Sequence, residues 1–315
     1  MTAVHPALAA AARRVRVVTP GEVAVGGDTY ALPVSDPPGE RRGLGDIVYT
    51  RIYLGLRRAT HAASVEEHED PRLGRALRAA TRGWRSADPG WVVAGESGDD
   101  VLVRRDGLTA VAPRADVVPP DAMEGDAVTV LAPSARPYAS PGFFTVVGRS
   151  GPPDGELARV YVNVAADGAA RLVRSLARAL DGVPYVLKVA NHPGAYRRRD
   201  TAVLYVATAA LEGAAPAVAG AVERLAPWLR GPVPAFTYRW RPGVGVAVDP
   251  GGNGLVSFGQ HRSLLVAGGI LAAWHAGSRA VDDAIAGEFA DAGLDPLHPY
   301  AGVSGMPALP RWEAA

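Results

Sequence analysis

The spacing of apolar residues changes several times along this chain, and the changes predict its elements. Residues 1–83 read as helical and loop-like in turn: residues 33–45 (PVSDPPGERRGLG) form a turn-rich connector, and from Asp46 to Leu54 the apolar positions fall at helical spacing. Tyr49 and Tyr53 lie one helical turn apart there, which marks a core-packing pair. From Trp84 to Val147 the pattern becomes short alternating runs, 90–94, 101–105, 108–111, 128–131 and 143–147, punctuated by Gly, Asp and Pro. That predicts a small antiparallel sheet or partial barrel over residues 84–150.

Beyond the linker 148–156 (GRSGPPDGE) the runs lengthen. Arg159 to Val164 alternates strictly, with Arg159, Tyr161 and Asn163 on one face and valines on the other. A helix over 168–181 carries Leu172, Leu176 and Leu180 in one stripe and Arg171, Arg174 and Arg178 on its solvated side. Strands are predicted at 185–190 and 201–206, and a helix at 209–229 ended by Gly231-Pro232. The run 236–248 reads as a strand bent at Pro242-Gly243, with Arg239 and Arg241 on one face. A last helix opens at Ser257 and runs through Trp274, which puts His261 and Arg262 near a helix N-terminus, where anions are favoured.

Composition narrows the chemistry. Net charge is +1, so bulk electrostatics predict neither nucleic-acid nor membrane binding. With no cysteine there is no thiol nucleophile, disulfide or Cys-based zinc site. The N-terminal Ala-rich run precedes its arginines, the wrong order for a secretory signal, and no apolar run reaches membrane-spanning length; a cytoplasmic location is expected. His61 and His68 sit among Glu66, Glu67, Glu69 and Asp70, but that spacing within a run of charges marks a solvated helix face, and no metal is expected. The turn from Asp249 to Gly254 lacks the Gly-Lys-Ser/Thr of a phosphate loop.

One residue stands out against this background. Lys188 is the only lysine in 315 residues, while every other basic position is arginine or histidine. GC-rich coding depletes lysine everywhere, but a lysine can lose its proton and an arginine effectively cannot. Lys188 lies in the apolar strand 185–190, where burial favours the neutral amine, and so is a candidate general base. Arg197, Arg198 and Arg199 follow closely, and guanidinium forks match phosphate oxygens; the pair of features suits a phosphorylated substrate.

The segments SPGFFTVVG (140–148), RVYVNV (159–164), VPYVLKVANHPGAYRRRDTAVLYV (183–206) and VGVAVDPGGNGLVSFGQHR (244–262) resemble the family named for the bacterial type III effector HopA, whose actinobacterial members appear in class V lanthipeptide and thioamitide pathways. The resemblance covers roughly residues 84–275. It implies a carbon–oxygen lyase that eliminates phosphate from phosphoserine or phosphothreonine of a ribosomal precursor peptide, leaving dehydroalanine or dehydrobutyrine after a separate Ser/Thr kinase-like phosphotransferase has acted. It further implies distant kinship with effector phosphothreonine lyases, no cofactor, and the fold. With the residue pattern, that fold is α+β: a lyase-like catalytic domain at 151–315 with a largely antiparallel sheet flanked by helices, preceded by an N-terminal helical and loop region, 1–83, and the small antiparallel β subdomain, 84–150.

By motif, Lys188 takes the base position, Arg159 matches the basic strand residue, Arg198 and Tyr205 match phosphate ligands, and Arg262 matches one more loosely; Arg239 is counted with the phosphate ligands. Where effector lyases carry an acid histidine this chain has Tyr161, so the leaving-group acid is open between Tyr161 and His261, with His192 in a turn as a third candidate. Two rival functions are an inactive family member that binds peptide or kinase as a scaffold, and a phosphatase or phosphotransferase, which the missing Cys nucleophile and P-loop disfavour.

Overall fold

The computed structural model describes residues 3–33, 36–57, 69–249 and 257–310. Helix α1 (Pro6–Arg14) leads into a three-stranded antiparallel meander, β1 (Val15–Thr19), β2 (Glu22–Val25) and β3 (Asp28–Ala31). The alternation in this stretch is too short to stand out, and the region 1–83 is therefore not simply helix and loop. Its punctuation is nonetheless in the chain: Gly26 and Gly27, both at positive φ, make the hairpin turn.

The expected connector 33–45 is mostly helical. Asp36 accepts a hydrogen bond from the Gly39 amide at 3.0 Å as N-cap of α2 (Pro37–Val48). Its two prolines occupy the first turn, where the missing N–H has no intrahelical partner to lose. The chain continues through a π-helical turn, Tyr49–Tyr53. Helix α3 (Pro71–Ala80) is capped by Asp70, whose carboxylate accepts from the Arg72 and Leu73 amides.

A five-stranded antiparallel sheet follows: β4 (Arg85–Ser97), β5 (Asp100–Arg105), β6 (Leu108–Pro113), β7 (Val117–Val118) and β8 (Ala127–Pro133), in the order β6-β5-β4-β8-β7. It has its own small core of Trp91, Val93, Val101, Val103 and Val128. The predicted strand β10 (Phe143–Val147), and with it β9 (Ala135–Ser140), which the pattern did not mark as a strand, instead join the larger sheet, because β10 pairs residue for residue with the strand bearing Lys188.

That larger sheet has seven strands, β9, β10, β11 (Leu157–Val162), β12 (Val186–Ala190), β13 (Ala202–Ala207), β14 (Tyr238–Arg241) and β15 (Val244–Val248), in the order β14-β15-β11-β13-β12-β10-β9 with every neighbour antiparallel. Together with the helices it makes an α+β fold. Val160, Val162, Leu204, Val206, Leu187 and Val189 face α4 (Ala169–Ala179) and α5 (Thr208–Glu223), and pack on Leu172, Leu176 and Val218. Each fully buried aliphatic side chain there contributes roughly 1.5–3 kcal/mol. The alternate residues face the opposite way, where Tyr161, Val203 and Ala247 meet the π-turn and helices α6 (Phe258–His275) and α7 (Val281–Asp291). Helix α6 opens with a capping box in which Ser257 and Gln260 bond each other's backbone amides.

Two expectations change in detail. Helix α5 stops at Glu223 and a 3-10 turn, Ala226–Trp228, completes the predicted segment. The run 236–248 is a hairpin, and the register between β14 and β15 shifts between Arg239 and Arg241. A bulge there breaks the alternation, so the two arginines do not share a face. Arg239 pairs with Gly245, whereas Arg241 pairs with Val244 of the helix-packed face and approaches Glu223 of α5 at 4.0 Å. No helix among the described residues is long and apolar enough to cross a membrane.

Candidate active site

Cross-strand register assembles the site, because residues paired across antiparallel strands share a face. One row runs Arg136, Thr145, Lys188, Val203, Tyr161, Gly245 through β9, β10, β12, β13, β11 and β15. The next row on the same face sets Arg159 opposite Tyr205. At about 4.8 Å per strand, Tyr161 and Lys188 are roughly 10 Å apart at the backbone.

Lys188 is half-buried and makes no hydrogen bond or ion pair among the described residues; its Nζ lies over the Tyr205 ring, 5.5 Å from the centroid. Burial, helped by the nearby Arg159 guanidinium, pulls its pKa below the ordinary lysine value. Arg159 lies against the same ring at 5.0 Å, and donates from Nε at 2.8 Å and from Nη2 to Oδ2 of Asp249. Tyr205 thus meets the Arg159 guanidinium and the Lys188 amine on one aromatic system. Arg198 forms a two-point pair with Asp200, both contacts at 2.8 Å, while its guanidinium lies over the Phe143 ring at 5.4 Å. Asp200 is 5 % exposed, so it fixes the guanidinium firmly.

Asp200 and Asp249 were not singled out from the sequence, although Asp200 directly follows the arginine run and Asp249 begins the glycine-rich turn. The π-turn supplies a third missed group. Tyr49 stacks on Tyr53 with ring centroids 5.3 Å apart, and burial pushes its phenol up to about 12, with Asp200, Arg198, Tyr205 and Arg159 all within electrostatic reach. The tyrosine pair read as plain core packing therefore borders the polar face. Tyr53 reaches Tyr161 and Phe258 through Gly259, where a Cβ would sit 2.3 Å from the Tyr53 ring.

Other expected residues lie apart. Arg262 is 0 % exposed and donates to the carbonyls of Pro299 at 2.7 Å and Ala301 at 2.8 Å, so it clamps the C-terminal segment rather than facing a ligand. Helix periodicity located its helix but not the side on which a carbonyl-rich loop would pack. His261 accepts from Arg262 through Nδ1 at 2.7 Å, and burial together with the Arg262 and Arg41 charges lowers its pKa to about 4. It is neutral near pH 7 and unsuited to act as an imidazolium acid. The Tyr161 hydroxyl is buried beside Tyr53, and burial raises its pKa. Arg239 lies on the edge strand four strands from β12, roughly 19 Å at the backbone, and is exposed. His192 caps the short turn Pro193–Arg197, its ring accepting from the Gly194 amide at 3.0 Å.

Cavities of about 510 Å³ beside β14 and residues 293–309, and of about 670 Å³ between the five-stranded sheet and α4, are not lined by Lys188. No group of His, Asp and Glu able to hold a metal occurs among the described residues, while His61, His68, Glu66 and Glu67 lie outside them.

A sequence model of the HopA1 effector protein family matches residues 134–301, which span the whole seven-stranded sheet, Lys188 and α6. The chain belongs to that family. Two solved structures are similar to it. The effector protein from Pseudomonas syringae pv. tomato strain DC3000 has 16% identity and a TM-score of 0.41, over 50% of this chain and 62% of its own, so this chain spans less than two thirds of that effector's length. The effector protein from Pseudomonas syringae pv. syringae strain 61 has 16% identity and a TM-score of 0.48, over 81% of this chain and 87% of its own. No curated protein matches the sequence.

Proposed function

We propose that this HopA1-family protein is a carbon–oxygen lyase that eliminates phosphate from phosphoserine or phosphothreonine in a ribosomal precursor peptide, after a partner kinase-like phosphotransferase has phosphorylated it. The observation that carries this reading is the state of Lys188: a half-buried amine with a lowered pKa and no hydrogen bond or ion pair among the described residues, on the same polar sheet face as Arg159, with Arg198 over Phe143 of the neighbouring strand β10. In the reaction Nζ takes the α-proton, the C–H electrons become the Cα–Cβ double bond, and the Cβ–O bond breaks with its electrons on the phosphate. The amine ends as ammonium and the peptide as a dehydroamino acid. Phosphate with a second pKa near 6 leaves well once its charge is neutralised, and arginines held in place by Asp249 and Asp200 supply that without reorganising. Tyr161 and Tyr205 offer neutral phenol donors, so His261 needs no acid role.

Mass spectrometry of a phosphopeptide after incubation tests this. A lyase removes the elements of phosphoric acid and leaves an alkene, a phosphatase leaves the hydroxyl, and an inert scaffold leaves the peptide unchanged. Lys188→Arg keeps the charge but has no lone pair to accept a proton, and should lose at least about 10²-fold in elimination while still binding phosphopeptide. A folded Lys188→Arg protein that eliminates at the wild-type rate would remove Lys188 from the base role.

A further inference from the structure

Strand β10 reads Phe143-Phe-Thr-Val-Val147, apolar at every position except one. Thr145 is 4 % exposed, and its Oγ1 is buried with no hydrogen-bond partner. An unpartnered buried hydroxyl is costly, and a valine of the same shape would fill the position without that cost. The fold therefore does not explain the hydroxyl. Its register does: Thr145 stands directly opposite Lys188 across the β10–β12 ladder, on the same face, with the two Cβ atoms about 4.5–5.5 Å apart in such pairs. Two polar groups without hydrogen bonds are thus neighbours on the face that carries Arg159 and Tyr205.

A neutral amine has one lone pair and two N–H groups. For the lone pair to point off the sheet at a substrate Cα, the N–H groups must be held elsewhere. The Tyr205 ring, 5.5 Å from Nζ, is one such partner. We propose that rotation about the Lys188 side-chain bonds closes the contact that both groups lack in the structure, making Thr145 the other partner: a positioning residue whose hydroxyl accepts an N–H of Lys188 and so aims the amine's lone pair at the substrate. This rests on the reading of Lys188 as the base. The ionisable groups on or against the same face are Arg136 on β9, which approaches Asp88 at 3.8 Å, Arg159 with its partner Asp249 and Tyr161 on β11, Tyr205 on β13, Arg239 on β14, Tyr49 of the π-turn, and the Arg198–Asp200 pair beside Phe143. None of these is removed by changing Thr145, so the effect of its hydroxyl can be isolated.

The single lysine permits a direct measurement. In untagged protein labelled with ¹³Cε-lysine, one resonance reports the titration of Lys188 alone. A hydroxyl accepts more strongly from ammonium than from amine, so Thr145→Val should lower the Lys188 pKa, and Thr145→Ser should return it toward wild type. With phosphopeptide, Thr145→Val should reduce kcat by about tenfold to a hundredfold at little change in KM, move the acid limb of the pH profile to lower pH, and be rescued by Thr145→Ser. Titration curves that are identical in wild type and Thr145→Val overturn the proposal whatever the activity, and so does a kcat loss that serine fails to rescue. Wild-type protein that forms no dehydrated peptide overturns the lyase reading and the catalytic part of this proposal, while the resonance still reports whether Thr145 touches Lys188.

Discussion

Arg262 gives the sharpest test of how tertiary packing reassigns a residue that sequence placed at a ligand. In the structure its guanidinium bonds the buried carbonyls of Pro299 and Ala301 and lies 5.0 Å from the Phe258 ring and 6.0 Å from that of Phe289. Burial lowers its pKa only to about 10, so it stays charged near neutrality and its bonds are charge-assisted. Arg262→Ala strips two buried carbonyls of their donors, at about 1–3 kcal/mol each, and leaves a cavity of the kind that costs about 2–5 kcal/mol in core truncations. These losses overlap, and a total of about 4–6 kcal/mol is expected, a fall in Tm on the order of 6–9 °C for a chain of 315 residues. Calorimetric melts of wild type, Arg262→Ala and Arg262→Lys check it. The lysine variant should fall between the other two, because one ammonium cannot span both carbonyls in the guanidinium's geometry. An Arg262→Ala protein that melts with wild type but loses affinity for phosphopeptide would refute the clamp and restore Arg262 as a phosphate ligand.

Three further outcomes follow from the same geometry. Asp249→Asn leaves Arg159 a neutral acceptor in place of a carboxylate, and kcat/KM for phosphopeptide should fall by roughly tenfold to a hundredfold with the melting curve little changed; steady-state kinetics beside a melt decide it. His261 titrates near 6.5 in the unfolded chain and about 4 in the folded one, so between those values the unfolded state binds more protons and stability must drop as pH falls. His261→Gln should flatten that part of the Tm-against-pH curve, and an unchanged slope would contradict the lowered pKa. Gly259→Ala places a methyl group against Tyr53, and should lower Tm and, by moving the π-turn, also slow turnover; a variant with wild-type melting would show that Tyr53 has room to retreat.

Alternation and helical stripes carried most of the large sheet and its helices, because Val160, Val162, Leu204 and Leu187 must all face one apolar layer and a shift of one residue would expose them. The lone lysine, the arginines after it and the order of the motifs were equally legible, and they pointed to the family. Tertiary structure decided what depends on partners distant in sequence. Pairing of β10 with β12 moved residues 143–147 into the large sheet and put Thr145 beside Lys188, a contact no local pattern encodes. The bulge in β14 separated Arg239 from Arg241, and the packing of residues 299–301 on α6 turned Arg262 inward. Asp249 and Asp200 became significant only once folding set them against Arg159 and Arg198. A sequence fixes which side chains are charged and which face of a strand they share; which charges meet is set by long-range pairing and by the desolvation that follows, and both exist only in the folded chain.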